Sequence, residues 1–278
     1  MKPYLFFFLS FLWIGANAQY YYKDIIGAKE TAELIRTYRN TKVSRVLLSS
    51  YDAENTKSDD FYVEQLFSTT NNALKTITRS GVTGQSVLTS LADASGNVIQ
   101  TLDSNETSNS ITTYNYNTEG VLNSVISTTS DTARSFNQTE EHLWEYDNGR
   151  AARMLRIKDK KDTSIIRFKL DEKGNVSEEQ STRRGIASDP VYYYYDSNNR
   201  LTDIVRFNTK AKRLLPEYMF EYSPTNQVIQ KITVPGNGSN YLIWRYQYDN
   251  RGLRIREAIF DKYKQLSGKI EYQYQFGF

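Results

Sequence analysis

Few residues of this chain have side chains suited to catalysis. His142 is the one histidine among 278 residues, and the sequence contains no cysteine. A Ser-His or Cys-His nucleophile pair would therefore need His142 as its base, and no Gly-x-Ser-x-Gly turn supplies a serine. A transition-metal site built from histidine and thiolate ligands is excluded for the same reason. His142 stands between Glu141 and Leu143, just before the strand of Trp144, and this setting favours a surface or hydrogen-bonded structural role.

Carboxylates remain, because a glycosidase needs only two of them facing each other. The adjacent pairs are Asp59-Asp60, Glu140-Glu141 and Glu178-Glu179. Adjacent residues of a strand face opposite sides, so each pair is interpreted as a solvated turn or edge. The acidic turns at residues 93–97 and 196–199 could offer oxygen ligands to calcium, but turn formation alone explains their composition. We therefore predict no enzyme activity, no metal site and no cofactor.

Aromatic pairs are the strongest candidates for a binding site. Two rings one position apart recur six times, and both rings of a pair project to the same face of a strand. Such a face fits a core, and it also fits a platform on which a sugar ring stacks while hydroxyl groups bind its rim. The candidate platform residues are Trp144, Tyr146, Tyr193, Tyr195, Tyr246 and Tyr248.

A turn signal follows most of these pairs. In the segment 246–252, which reads Tyr-Gln-Tyr-Asp-Asn-Arg-Gly, an Asp comes directly after the second ring and a Gly three residues later. Alternating rings followed by such a turn predict a β-hairpin. The turn markers at positions 120, 149, 174, 199, 226 and 252 are separated by 29, 25, 25, 27 and 26 residues. This spacing predicts tandem hairpins of two strands per unit.

The unit Tyr-x-Tyr-Asp-x-x-Gly-x-Leu resembles the YD repeats of the RHS and YD-repeat family. The resemblance covers about two thirds of the chain, from Ser90 to Tyr274. It implies long antiparallel sheets that spiral into shells, and carbohydrate binding by the repeats. Some copies depart from the pattern, since Gly149 comes one residue early and Asn199 and Asn226 replace the glycine. No toxin-like module follows the repeats, so a toxin-delivery role is not expected.

The order of elements along the chain is also predicted. Residues 1–18 are typical of a secretory signal peptide, with an apolar run after Lys2 and a small-residue cleavage site at 16–18. Residues 19–278 are expected to form one β-rich domain, with a helix and the first strands in 19–89 and YD-like hairpins in 90–278. Helical periodicity predicts a helix at residues 23–40 that covers one end or face of the sheet. Strands are predicted at 42–51, 61–67 and 74–79, and the Ser- and Thr-rich region 104–135 is also interpreted as strands.

Composition and the number of repeats limit the classes of function that this chain can have. A net charge of +3 from 35 basic and 32 acidic residues is not typical of a nucleic-acid-binding protein. The predicted fold is all-β, with six or seven hairpin units in a long twisted or curved open sheet or partial shell. The expected location is the periplasm, the cell surface or the medium of a bacterium. The expected role is structural or binding at the cell envelope, with an extracellular glycan or another protein as partner, and free sheet edges would permit self-association.

Two alternatives remain open. Positions 270, 272, 274, 276 and 278 are apolar, and the residues between them are mostly polar. This alternation resembles the closing strand of an outer-membrane β-barrel. Against a membrane location, Glu257 and Asp203 share strand faces with residues that would have to meet lipid. The second alternative is a half-barrel that carries a lipid, because curved aromatic-rich sheets can enclose apolar ligands.

Overall fold

The computed structural model describes residues 20–81, 83–131, 136–234 and 240–277. The proposed signal peptide lies outside the described residues. The helix is α1 (Lys23–Asn40), and the strands are β1 (Val43–Asp52), β2 (Phe61–Ser68), β3 (Ala73–Ser80), β4 (Gly84–Ala92), β5 (Val98–Asn105), β6 (Ser108–Tyr116), β7 (Leu122–Asp131), β8 (Phe136–Asp147), β9 (Arg150–Lys158), β10 (Asp162–Leu170), β11 (Val176–Arg183), β12 (Ile186–Ala187), β13 (Val191–Tyr195), β14 (Leu201–Asn208), β15 (Arg213–Tyr222), β16 (Val228–Thr233), β17 (Leu242–Tyr248), β18 (Arg254–Phe260) and β19 (Leu266–Phe276).

These strands form one closed antiparallel barrel. Each strand pairs with its neighbour in sequence, and β1 pairs with both β2 and β19. The two-residue β12 lies beside β11 in the connection to β13, so eighteen strands surround the lumen. The prediction of an open sheet or partial shell is wrong. The first strands, which precede the repeat series and lack its motif, complete the circumference and leave no long free edge among the described strands.

The repeated turns close the hairpins at one end of the barrel, here called the turn end. In one of them, Asp249 Oδ1 accepts hydrogen bonds from the backbone N–H groups of Arg251 and Leu253, both at 2.9 Å. Gly252 has a φ of 83°, which side chains with a Cβ rarely adopt. Asn199 and Asn226 occupy the equivalent position with φ values of 60° and 68°. Asparagine tolerates this conformation, so these two departures from the motif keep the turn.

A tyrosine hydroxyl fastens the second ring of each pair to the neighbouring strand. In all six copies the hydroxyl donates to a backbone carbonyl at the start of the preceding long strand, at 2.6–2.9 Å. This hydrogen bond explains why the second ring is always Tyr, whereas Tyr, Trp and Phe all occur at the first. The bonded pairs are Tyr116 with Val98, Tyr146 with Leu122, Tyr195 with Val176, Tyr222 with Leu201, Tyr248 with Val228 and Tyr274 with Arg254.

Helix α1 lies inside the barrel. Ile35 and Tyr38 of α1 pack with buried residues of β1 to β5 and β19 in one hydrophobic cluster. Tyr21, just before α1, packs in a second cluster with buried residues of β7 to β14. Contacts with strands on both sides of the lumen place the helix within it. The helix predicted at residues 23–40 is confirmed with the same bounds, and the face that it covers is the inner face of the sheet.

The outer face of the barrel is mixed, with charged side chains along the strands. Glu145 pairs with Arg153 across β8 and β9, and Glu178 pairs with Lys169 across β10 and β11, both at 2.7 Å. Apolar residues are interspersed, and Phe207 on β14 is 41% exposed. In the part of the chain that the structure describes, no helix is long and apolar enough to cross a bilayer.

Candidate functional site

Glu179 fixes the segment before α1 to the barrel wall. Its Oε1 accepts the backbone N–H of Tyr21 at 2.8 Å, and its Oε2 accepts the backbone N–H of Tyr22 at 2.9 Å. The Tyr193 hydroxyl donates to Oε2 as well, at 2.8 Å. Glu179 is 2% exposed, and burial raises its pKa while these three donors oppose the rise. The interpretation of Glu178-Glu179 as a solvated pair holds only for Glu178, because Glu179 faces the lumen.

His142 holds the first turn of α1 in a similar way. Its Nδ1 lies 2.6 Å from a carboxylate oxygen of Asp24, and its Nε2 lies 2.9 Å from Glu140 Oε1. Arg156 also bonds Glu140, and the ring of Tyr21 packs edge-on against His142. This set of charges is a structural ion cluster at the contact between helix and wall. The interpretation of Glu140-Glu141 as a solvated pair is wrong for Glu140, which lies on the inner face.

The His142 cluster predicts a pH dependence of stability. Burial lowers the pKa of His142, but Asp24 and Glu140 outweigh it and raise the pKa from 6.5 to about 9. Burial raises the pKa of Glu140, but His142 and Arg156 outweigh it and lower the pKa from 4.5 to about 2. The histidine contribution is complete below pH 6.5 and is lost as pH rises through 9. The glutamate contribution is complete above pH 4.5 and is lost as pH falls through 2.

We therefore expect the wild type to lose up to roughly 3 kcal/mol of this contribution between pH 6 and pH 9.5. The variant His142→Gln cannot show that loss, because its side chain does not titrate. Urea unfolding of both proteins across this pH range measures the effect as a difference, in which the other titrating groups largely cancel. Parallel stability curves for the two proteins would contradict the assignment.

The six candidate platform residues all lie on the inner face. Trp144 is 3% exposed and stacks on Phe168 with ring centroids 5.2 Å apart, and Tyr193 is 2% exposed. Tyr146, Tyr195, Tyr246 and Tyr248 are partly buried, and Tyr146, Tyr195 and Tyr248 use their hydroxyls to bond the neighbouring strand. Any glycan that used these rings would have to enter the lumen, and glycan binding by them stays a prediction.

The acidic turns proposed as calcium ligands use their oxygens within the turn. Asp93 accepts hydrogen bonds from the backbone and side chain of Asn97, and Asp196 accepts the backbone N–H groups of Asn198 and Arg200. Among the described residues, no group of three or more His, Asp or Glu side chains is placed to hold a metal ion. Turn formation accounts for these acids, as the sequence pattern suggested.

A second polar region lies on the inner face of strands β15 to β18, and we call it the lysine cluster. Lys231 lies directly opposite Phe220 on one side and Trp244 on the other, so the three side chains share the inner face. The Lys231 ammonium lies 5.3 Å from the ring centroid of Tyr218. Burial lowers the pKa of Lys231, while Glu30 of α1 opposes the change.

Glu30 of α1 interacts electrostatically with Lys231. Burial raises the pKa of Glu30, and Lys231 and Arg254 oppose the rise. Its side chain is nevertheless exposed to solvent.

Sequence reasoning singled out Phe220 and Tyr246 as rings of aromatic pairs, but it missed the other residues of the lysine cluster, Lys231, Trp244 and Glu30. Lys231 and Glu30 look like ordinary solvated charges in the sequence, because only closure of the barrel turns their faces inward. One signal was present: Lys231 follows the fifth turn at a position whose cross-strand partner is the first ring of a pair, Phe220. A lysine opposite a core ring indicates a charge placed on the buried face.

No family model matches the chain, and no curated protein matches it. The likeness to YD repeats therefore rests on the repeated residues and on the hairpin geometry that they form.

Solved structures show weak similarity of two kinds. The Tc holotoxin pore of Photorhabdus luminescens is 16% identical with a TM-score of 0.35, over 77% of this chain and 11% of that chain. The chain thus spans about a tenth of the length of that protein. A porin-like protein from Bacteroides uniformis is 13% identical with a TM-score of 0.38, over 84% of this chain and 97% of that chain. A porin-like protein from Bacteroides vulgatus is 12% identical with a TM-score of 0.22, over 84% of this chain and 99% of that chain.

Proposed function

We propose that this protein is an exported, closed β-barrel that works in water as a structural or binding protein of the bacterial cell envelope. Its outer face would meet solvent, and its lumen would provide the binding surface. The aromatic pairs that suggested binding in the sequence line that lumen, together with charged groups of the wall. Support for the proposal comes from the outer face, which carries ion pairs where a membrane barrel needs an apolar band.

The outer ion pairs carry this proposal. Glu145 and Arg153 are 44% and 42% exposed, and Arg167 lies directly opposite Arg153 on the next strand. Farther round the barrel, Gln230 bonds both Glu221 and Arg245 across three strands. An Arg or Lys facing lipid costs about 2–4 kcal/mol at the bilayer midplane. Such residues interrupt the outer face of the described strands β9, β15 and β17, which are seven to ten residues long.

Fractionation tests the proposal. The full chain would be expressed with its own N-terminal sequence in a Gram-negative host, beside a periplasmic marker and an outer-membrane barrel as controls. We expect most of the folded protein in the detergent-free periplasmic or secreted fraction, because its outer face is solvated. Recovery only after detergent extraction of washed membranes would contradict the proposal.

An outer-membrane barrel is the second candidate, and barrel closure favours it. An even number of strands, each paired with its sequence neighbour and closed by the first and last, is the topology of bacterial membrane barrels. A closed barrel therefore supports the outer-membrane alternative better than it supports the open-sheet YD-repeat protein expected from the sequence.

A matched substitution separates the two candidates further. Replacing Arg245 with Leu on the outer face should stabilise a lipid-facing barrel, because a charge is removed from hydrocarbon. For a water-facing barrel the same change should leave the free energy of unfolding within about 0.5 kcal/mol. Greater stability of Arg245→Leu in detergent micelles than the wild type would favour the membrane barrel.

A further inference from the structure

Charge is distributed unevenly at the end of the barrel opposite the turn end, which we call the loop end. Three connections there, β9–β10, β11–β12 and β14–β15, carry seven exposed bases within them or on the adjoining strand residues. These connections are neighbours on the rim, since β11 pairs with β10 and β13, and β14 pairs with β13 and β15. We call the seven bases the basic arc: Lys160, Lys161, Arg183, Arg184, Lys210, Lys212 and Arg213.

The basic arc has few acidic partners. Arg183 pairs with Asp162 at 2.6 Å, and the described residues provide no ion pair to the other six bases. Acids lie instead on the far side of the loop end, in the β1–β2 connection, where residues 52–60 contain four acids and one base. The net charge of the whole chain is only +3, so the fold gathers these bases. A rim polarised in this way turns its basic side towards an anionic partner.

Exposed apolar side chains stand among the bases of the arc. At the tip of the β14–β15 hairpin, Phe207 and Leu214 lie directly opposite each other and are 41% and 45% exposed. At the β11–β12 tip, Ile186 follows Arg184 by two residues and is 76% exposed. Large apolar side chains grouped at one surface and bordered by charge mark an interaction site.

The β14–β15 tip combines both properties in one short segment. Residues 205–216 contain no acid, and three bases of the arc lie in the turn. Asn208 pairs with Arg213, so the apolar pair lies one position from the turn along the strands. The turn is ordered by its own contacts, since the Ala211 backbone N–H donates to Asn208 Oδ1 at 2.9 Å. An ordered tip with apolar side chains beside bases is suited to the boundary between lipid head groups and acyl chains.

A lipid surface fits the arc better than the other anionic partners do. A second copy of the chain could offer its acidic connection, but residues 53–60 contain no large apolar side chain to cover Phe207 and Leu214. An anionic polysaccharide would bind the bases and leave these two side chains in water. Anionic head groups with acyl chains beneath them accommodate the bases and the apolar side chains together.

We propose that the basic arc docks the barrel reversibly, loop end first, on a membrane surface that contains anionic lipids. Phe207, Leu214 and Ile186 enter the interface, and the bases of the arc bind the lipid phosphates. Salt weakens such binding, because it screens the charges outside the membrane. This inference rests on the proposed function, because only a barrel that is soluble in water can dock and leave in this way.

Co-sedimentation with vesicles tests the inference on the full exported chain. The vesicles contain either phosphatidylcholine alone or an equimolar mixture of phosphatidylcholine and phosphatidylglycerol. We expect at least about tenfold tighter binding to the mixture at low salt, because several bases contribute to attraction by an anionic surface. We also expect high salt to release the bound protein without detergent.

A charge variant assigns the binding to the basic arc. It replaces the three bases of the β14–β15 tip: Lys210→Gln, Lys212→Gln and Arg213→Gln. We expect it to bind the anionic vesicles about tenfold or more weakly. The matched control removes the same charge from exposed bases elsewhere on the surface: Lys57→Gln, Lys75→Gln and Arg167→Gln. The control should lose much less affinity than the charge variant, because its bases lie away from the arc.

An apolar variant tests insertion separately from charge. Phe207→Thr with Leu214→Thr keeps residues that favour strands and removes the apolar surface, and a loss of about tenfold or more is expected. Its control is Ile229→Thr with Ile255→Thr, at positions that are 38% and 41% exposed elsewhere on the barrel. This control should bind the vesicles like the wild type. Thermal melting and near-ultraviolet circular dichroism confirm that each variant is folded.

Equal binding to neutral and anionic vesicles, no binding to either, or unchanged affinity in the charge or apolar variant would overturn the inference. It would also be overturned by a dimer that the charge variant abolishes, or by polygalacturonate binding as tight as vesicle binding, because these assign the arc to a second copy or to a polysaccharide. Failure of the proposed function is a separate result, which appears as a need for detergent during fractionation. A protein that is recovered without detergent but ignores anionic vesicles keeps the water-facing barrel and removes the membrane contact.

Discussion

Replacing Glu179 with Ala is expected to lower the free energy of unfolding by about 3–5 kcal/mol. The change leaves three donors without an acceptor, namely the backbone N–H groups of Tyr21 and Tyr22 and the hydroxyl of Tyr193. Each buried donor that loses its partner costs roughly 1–3 kcal/mol. Two of these donors belong to the segment that leads into α1, so the variant should also release that segment from the wall.

The adjacent residue provides a matched control. Glu178 is also a glutamate on β11, but it points outward to Lys169, whose side chain is 73% exposed. Solvent screens that pair, so Glu178→Ala should cost no more than about 1 kcal/mol. Urea unfolding followed by circular dichroism gives both values, and limited proteolysis reports release of the N-terminal segment. Similar losses in the two variants, or an uncut N-terminal segment in Glu179→Ala, would show that Glu179 does not fix the helix.

The contrast between these two glutamates marks the limit of sequence reasoning. Alternation along a strand predicts that Glu178 and Glu179 face opposite sides, and this is confirmed. It does not identify which side is enclosed, and two acidic residues in a row are usually solvated. Only the closed barrel, with α1 inside it, makes one of the two sides a protein interior where a carboxylate needs donors.

Closure itself could not be predicted from the repeats. The turn motif predicted the hairpins because Asp249 and Gly252 form the turn through local hydrogen bonds and a local backbone conformation. The seam between β1 and β19 joins residues as distant in sequence as Val43 and Phe276. The strands β1 to β3 were predicted as separate segments, but they carry no motif that reveals which strand they pair with. Local signals fix turns, whereas the circumference depends on long-range pairing.

Tyr193→Ala is expected to be the most damaging change among the aromatic pairs, with a loss of about 3–5 kcal/mol in the free energy of unfolding. The ring is 2% exposed and packs edge-on against Tyr22 at 5.4 Å and Tyr20 at 6.3 Å. Tyr194 is the matched control, since it is the next residue of β13, points outward and is 49% exposed. Tyr194→Ala should cost less than about 1 kcal/mol. A reversed order of the two losses would mean that the inner face is not the core.

The hydroxyl of Tyr193 can be separated from its ring. Tyr193→Phe keeps the packing and removes the hydrogen bond to Glu179, so it should cost about 1 kcal/mol in the wild type. In a Glu179→Ala background the hydroxyl has already lost this acceptor, so the same change should cost nothing and should recover part of the penalty of the unpaired donor. A double-mutant cycle measured by urea unfolding gives the coupling directly. Equal costs in both backgrounds would mean that the hydroxyl acts independently of Glu179. Strong coupling would assign Tyr193 to the attachment of α1, and a ring held in that contact is not free to stack on a ligand.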